Sequence, residues 1–171
     1  MKYLKSLLVA VTALLVGIVI GGPASAGGSP HFIKNLTQAG ADGTVLTVNF
    51  KEAGLQSGAT ETVTITATYA VTYECVNGGS HNPSASNKQT FSSDSSASGQ
   101  FTANKNGNII GSLSLDAPSA TDLGFSCPPG QTVTLYSVTW SNVSITDNTS
   151  GAYLDLKGTF SYTNPNAPKP R

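Results

Sequence analysis

The 171-residue chain sets nine Lys/Arg against nine Asp/Glu, and charged residues make up only 11% of it. With no basic block or run beyond the first residues, the charge pattern argues against nucleic acid and anionic membrane as partners. The abundance of Thr, Ser, Asn and Gly is that of an exported β protein rather than a cytosolic enzyme.

The opening "MKYLKSLLVAVTALLVGIVIGGPASAGG" has the layout of a secretory signal peptide over residues 1–26. Lys2 and Lys5 precede an apolar run from Leu7 to Ile20, and Gly21, Gly22 and Pro23 precede Ala24-Ser25-Ala26. A run of about 14 residues is short of the ~20 that a bilayer span needs, so cleavage after Ala26 is expected. The mature chain then keeps seven Lys/Arg against nine Asp/Glu, a formal charge of −2. No cysteine precedes Cys75, which removes a lipid-modified N-terminal cysteine. No later apolar stretch is long enough to span a membrane. The expected organisation is one domain over 27–163 and a flexible Pro-rich tail, "NPNAPKPR", over 164–171.

Period-two alternation runs through the mature chain. Leu46, Val48 and Phe50 alternate in "TVLTVNFKE". In "TVTITATYAVTYECV", Val63, Ile65, Ala67, Tyr69, Val71, Tyr73 and Cys75 share one face against a face of threonines, which predicts a strand. At about 3.3 Å per residue it would span roughly 45 Å, so a bend or bulge is expected near Ala67 to Ala70. "SASGQFTA" and "NIIGSLSLD" flank Lys105-Asn106-Gly107, whose Asn-Gly step predicts a tight hairpin turn. "TVTLYSVTWSNVSITD" alternates as Val133 and Leu135, shifts phase to Tyr136, Val138 and Trp140, and shifts again to Val143 and Ile145, as bulged strands do. Leu154, Leu156, Phe160 and Tyr162 read as one last strand. Roughly seven to nine strands without helical spacing predict an all-β, two-sheet antiparallel, immunoglobulin-like sandwich, with a small β-barrel as runner-up.

The stretch "YECVNGGSHNPSASNK" (73–88) joins Cys75 and His81 to dense turn residues. A nucleophilic cysteine would need a base and an orienting group nearby. Two cysteines cannot build a four-ligand zinc site, and His31 and His81 have no metal-like spacing. In an exported protein with two cysteines, a Cys75–Cys127 disulfide is the default. The bridge also selects a topology. Both cysteines reach the same end only if residues 89–104 return as one interrupted strand and 109–115 climb again.

"AGL" (53–55), "YECVNGG" (73–79), "NK" (87–88), "SCPPGQ" (126–131) and "VTWSNVSITDNTSG" (138–151) together resemble a family of small exported proteins of actinobacterial type. The resemblance implies a disulfide-bonded β domain and brings no established activity. A fainter similarity to neocarzinostatin-type apoproteins lies in "AGLQSG" and "TANKNGNIIGSLSL". Those proteins have four cysteines, so this similarity implies the fold rather than the ligand.

No G-x-S-x-G, H-E-x-x-H or EF-hand-type element is present, and no catalytic residues, metal ligands or cofactors are assigned. Asp116 and Asp122 have the spacing of a partial calcium loop or of residues that close turns. The expected function is that of a secreted, non-catalytic binding domain for an unknown extracellular ligand or protein. The alternatives are a structural or surface-coat protein, then a small-molecule-binding apoprotein or a polysaccharide-acting enzyme. The two long loops at the bridged end, about twelve and sixteen residues, are the candidate surface. Asn77, His81, Asn82, Asn87 and Lys88 would face Asp122 and Phe125 across it, unless these side chains merely bond their own backbone.

Overall fold

The structure is a computed structural model that describes residues 28–77 and 87–167. The signal-peptide segment, His81, Asn82 and the last four residues lie outside the described residues. Nine strands follow in chain order: β1 (His31–Phe32), β2 (Gln38–Asp42), β3 (Val45–Ala53), β4 (Thr60–Asn77), β5 (Lys88–Thr102), β6 (Ile109–Asp116), β7 (Gln131–Asp147), β8 (Tyr153–Leu156) and β9 (Phe160–Thr163). A short 3-10 turn, Lys34–Leu36, lies between β1 and β2. None of them forms a helix long and apolar enough to cross a membrane.

The strands form two antiparallel sheets. In the first, β3 lies between β6 on one side and β1 and β2 on the other. In the second, β4 lies between β5 and β7, and β8 and β9 follow one another along the far side of β7. The sheets do not close into a barrel, so the sandwich expectation holds and the runner-up does not.

The inward faces are the alternating positions of the sequence. Leu46, Val48 and Phe50 of β3 meet Val63, Ile65 and Val71 of β4 and Val138, Trp140, Val143 and Ile145 of β7, all fully buried. Each such side chain contributes roughly 1.5–3 kcal/mol relative to remaining in water. Tyr69 sets its ring edge-on to Trp140, with centroids 6.0 Å apart. Phe160 and Tyr162 are half-buried on β9 rather than central.

The expected bulge is present, and a second accompanies it. Pairing between β4 and β7 shifts register between Thr66 and Thr68 and again between Thr72 and Tyr73. In both cases the additional residue lies on β7. Tyr136 falls between partners Leu135 and Ser137, and Asn142 and Val143 together face the single residue Ala67. These are the two points at which the hydrophobic phase of β7 changes in the sequence. Asn142 takes the left-handed backbone conformation, φ 52°, as the first residue of a bulge of this kind does. Opposite Asn142 the last strand also breaks. Its two halves, β8 and β9, are separated by Lys157-Gly158-Thr159, with Gly158 at φ 111°. The single terminal strand read from the sequence is therefore two.

The Asn-Gly hairpin is corrected. A turn forms at Asn104–Asn108, where the Asn104 amide donates to Asn108 O and the Gly107 amide to Asn104 O, both at 2.9 Å. Yet β5 belongs to the second sheet and β6 pairs with β3 in the first. The turn is a corner between sheets, fixed because the Leu55 amide donates to Gly107 O at 3.1 Å. A Cβ at Gly107 would lie 2.2 Å from Leu55 O, and the residue's φ is 69°. Where "QTFSSDSSASGQFT" was expected to be an interrupted strand, β5 is continuous, paired with β4 from Glu74↔Lys88 to Thr60↔Thr102.

The far C-terminal segment begins anchored. The Asn164 amide donates to Tyr136 O and its side chain to Leu135 O, at 3.0 and 2.9 Å.

Candidate functional site

β4 carries Tyr73, Glu74 and Cys75 to the bridged end. All three are buried, which breaks the alternation just past the second register shift. Cys75 is bonded to Cys127, 52 positions further along the chain, with Cα atoms 5.6 Å apart. The predicted pairing, and the topology it selects, are therefore present.

The loop between β6 and β7 is ordered by its own backbone. The Ala117 amide donates to Thr44 O of the β2–β3 turn at 3.0 Å, and the Phe125 amide to Ala120 O at 2.8 Å. Ser119 donates to Asp122 Oδ2 through its amide at 3.1 Å and its hydroxyl at 2.7 Å. These two bonds hold the Asp122 carboxyl below its ordinary range. Asp122 thus closes a turn in the way anticipated as its backbone-bonding alternative.

Phe125 is half-buried, stacked on Tyr73 at 6.1 Å and edge-on to Phe91 at 6.2 Å. The Tyr73 hydroxyl donates to Pro118 O at 3.0 Å. Burial, followed by the nearby charges of Asp116 and Asp122, pushes that phenol above its ordinary range. Around these groups a recess of about 350 Å³ is lined by Thr44, Tyr73, Asp116, Pro118, Ser119 and Asp122.

The residues of the other loop lie differently. Asn77 is exposed and pairs with Gln131 in the ladder. Asn87 donates weakly to Gln131 Oε1 at 3.5 Å. Lys88 meets Glu74 Oε2 at 2.9 Å, with its Nζ 3.4 Å from the centre of the Tyr136 ring. Its charge is taken up by a buried carboxylate and an aromatic face, which explains why Glu74 is buried at an outward-facing position.

A second cluster, at the opposite end, matches no sequence motif. Glu52 of β3, Glu61 of β4 and Asp147 of β7 are all buried. Ser150 donates to Glu52 Oε1 at 3.2 Å, and the Thr149 amide donates to Asp147 Oδ1 at 2.8 Å. Among the described residues, Glu52 Oε2, Glu61 Oε2 and Asp147 Oδ2 receive no hydrogen bond from an amide or hydroxyl group. Among the described residues, no group of three acidic, histidine or cysteine side chains is arranged to hold a metal ion. Burial, then the charge of Asp147, pushes Glu52 up to about 7 from 4.5, and the same two causes raise Glu61. Asp147 is held low by donors from Ser150 and Thr149, against the opposing effect of its burial.

This arrangement makes stability pH-dependent. A carboxyl with a raised folded-state pKa contributes fully below its unfolded value and loses that contribution as pH rises through the folded value. Between pH 4.5 and about 7, stability should therefore fall by on the order of 3 kcal/mol. Asp147 and Asp122, held low, act below this window, and Tyr73 acts above it. Urea unfolding across the window checks the slope, and Glu52→Gln should flatten it. A slope of the opposite sign, or one unchanged by that substitution, would contradict this origin.

No protein-family model matches the chain, and no curated protein matches it. Among solved structures, the solution structure of CsgH from R. palustris is similar over 78% of this chain and 91% of that one, at 11% identity and a TM-score of 0.19. A likeness of that size bears on neither fold nor function.

Proposed function

We propose that this chain is an exported, non-catalytic binding domain that engages its ligand at the bridged end. The observation that supports this most is the recess beside the disulfide, whose walls come from β4, the β2–β3 turn and the β6–β7 loop. Its walls are held by the Ala117–Thr44 and Tyr73–Pro118 hydrogen bonds and the Ser119–Asp122 turn, so little conformational freedom remains to be lost on binding. Asp116 and Asp122 make it acceptor-rich, which suits a ligand that presents hydrogen-bond donors. The disulfide accords with an oxidising, extracellular setting.

The test is capture of a partner from culture fluid and wall fractions with the mature domain, followed by affinity measurement on single alanine variants of His81, Asn82, Asp122 and Phe125. Residues in contact should each weaken binding by about tenfold. Thermal denaturation of each variant separates lost contact from lost turn structure. Affinity that survives all four changes but falls with changes at Lys105–Asn108 would place the site at the other end.

One observation favours a second reading, a structural or coat protein that assembles with itself. β5 pairs with β4 along one edge, and among the described residues its other edge is unpaired over fifteen residues. Exposed edges of this length are templates for further strand pairing. Oligomers that grow with protein concentration would support it, and a monomer at all concentrations would dismiss it.

A further inference from the structure

The outer face of the second sheet is built from hydroxyls that bond across strands. Thr64 meets Ser98 at 2.7 Å and Thr66 meets Ser144 at 2.8 Å. Midway along this face a recess of about 490 Å³ opens among Thr66, Thr68, Asp94, Ser96 and Asn142. It lies at the first register shift, where the bulge in β7 brings Asn142 up against β4. The Asn142 carboxamide donates to the Thr68 hydroxyl at 3.3 Å, and that hydroxyl donates to Asp94 Oδ1 at 2.6 Å.

We propose that this recess binds a neutral glycan chain. Among the described residues, Asp94 is the only charged one in its lining, and the remaining polar side chains are hydroxyls and a carboxamide. Hydroxyls both donate and accept, a carboxamide does each with a different atom, and a carboxylate accepts from two donors at once. That combination matches the adjacent hydroxyls of a sugar ring and offers nothing to neutralise an anionic ligand. The Thr68 bond orients Asp94 before any ligand arrives, which lowers the entropy lost on binding. Asn142, exposed at the bulge, directs its carboxamide to the same recess lining that Thr68 and Asp94 share, leaving a polar side chain at the rim rather than an apolar one.

The site shares no residue with the bridged-end recess, so either can fail alone. The test mixes the mature chain with microcrystalline cellulose, chitin, xylan and starch granules and measures the protein left in solution. The soluble hexasaccharide of each polymer serves as competitor. At least one polymer should deplete the protein, and its hexasaccharide should release it. Asn142→Gly and Asp94→Ala should each weaken retention by about tenfold or more, with Asn142→Gly leaving the melting temperature unchanged or raised. Retention by none of the four polymers would overturn the proposal, as would retention that no hexasaccharide relieves. Equal binding by parent and both variants would also overturn it. A concentration-dependent dimer abolished by the same two changes would assign the face to self-association and refute the glycan site.

Discussion

Replacing Cys75 and Cys127 together by serine is expected to lower stability by about 2–5 kcal/mol, the usual range for a small secreted domain. The bridge closes a loop of 52 residues, for which chain entropy alone corresponds to about 4 kcal/mol. The native fold should survive the change, because Val63, Ile65, Val71, Val138 and Ile145 are buried between the sheets independently of the bridge. The loss should instead appear as a lower urea midpoint and, with a less restrained unfolded chain, a steeper dependence on denaturant. An unchanged midpoint would mean that the β6–β7 loop is fixed by its own hydrogen bonds and that the bridge adds nothing.

Gly107→Ala should cost about 3 kcal/mol, from a left-handed backbone penalty of roughly 1–2 kcal/mol and the disruption of a backbone hydrogen bond of about 1 kcal/mol. The new methyl would lie 2.2 Å from Leu55 O, in the contact that fixes the corner between β5 and β6. Gly124 provides the control. It has the same φ of 69° and nothing within 4 Å of an added Cβ, so Gly124→Ala should show the backbone penalty alone. Thermal or urea unfolding of both variants isolates the steric part. Equal losses would show that the corner yields without cost.

The strongest structural signals in the sequence were those in which one face meets the core and the other meets water. β4 is readable for that reason, and the two phase changes in β7 mark the two bulges that its pairing requires. The weak pattern of β5 has a physical cause: it lies at a sheet edge, and its inward positions Phe91, Ser95, Ala97 and Phe101 are only half-buried. The Asn-Gly step at 106–107 reported a chain reversal but not which sheet would receive the next strand, because that depends on contacts with Leu55 far upstream. Glu52, Glu61 and Asp147 did leave a trace. Each continues the inward parity of its strand, after Phe50, before Val63 and after Ile145. Asp122 and Phe125 are brought to the bridged end as expected, but one closes a turn and the other joins Tyr73 and Phe91. The recess on the outer face gave no linear signal, since it joins β4, β5 and β7 through a register that only the folded sheet defines.

The most direct measurement is an amide chemical-shift map of the mature domain titrated with the partner captured by it. Perturbations centred on Tyr73, Asp116, Ser119, Asp122 and Phe125 are the predicted result. Perturbations confined to Asn104–Asn108, at the end opposite the disulfide, would contradict a binding surface at the bridged end.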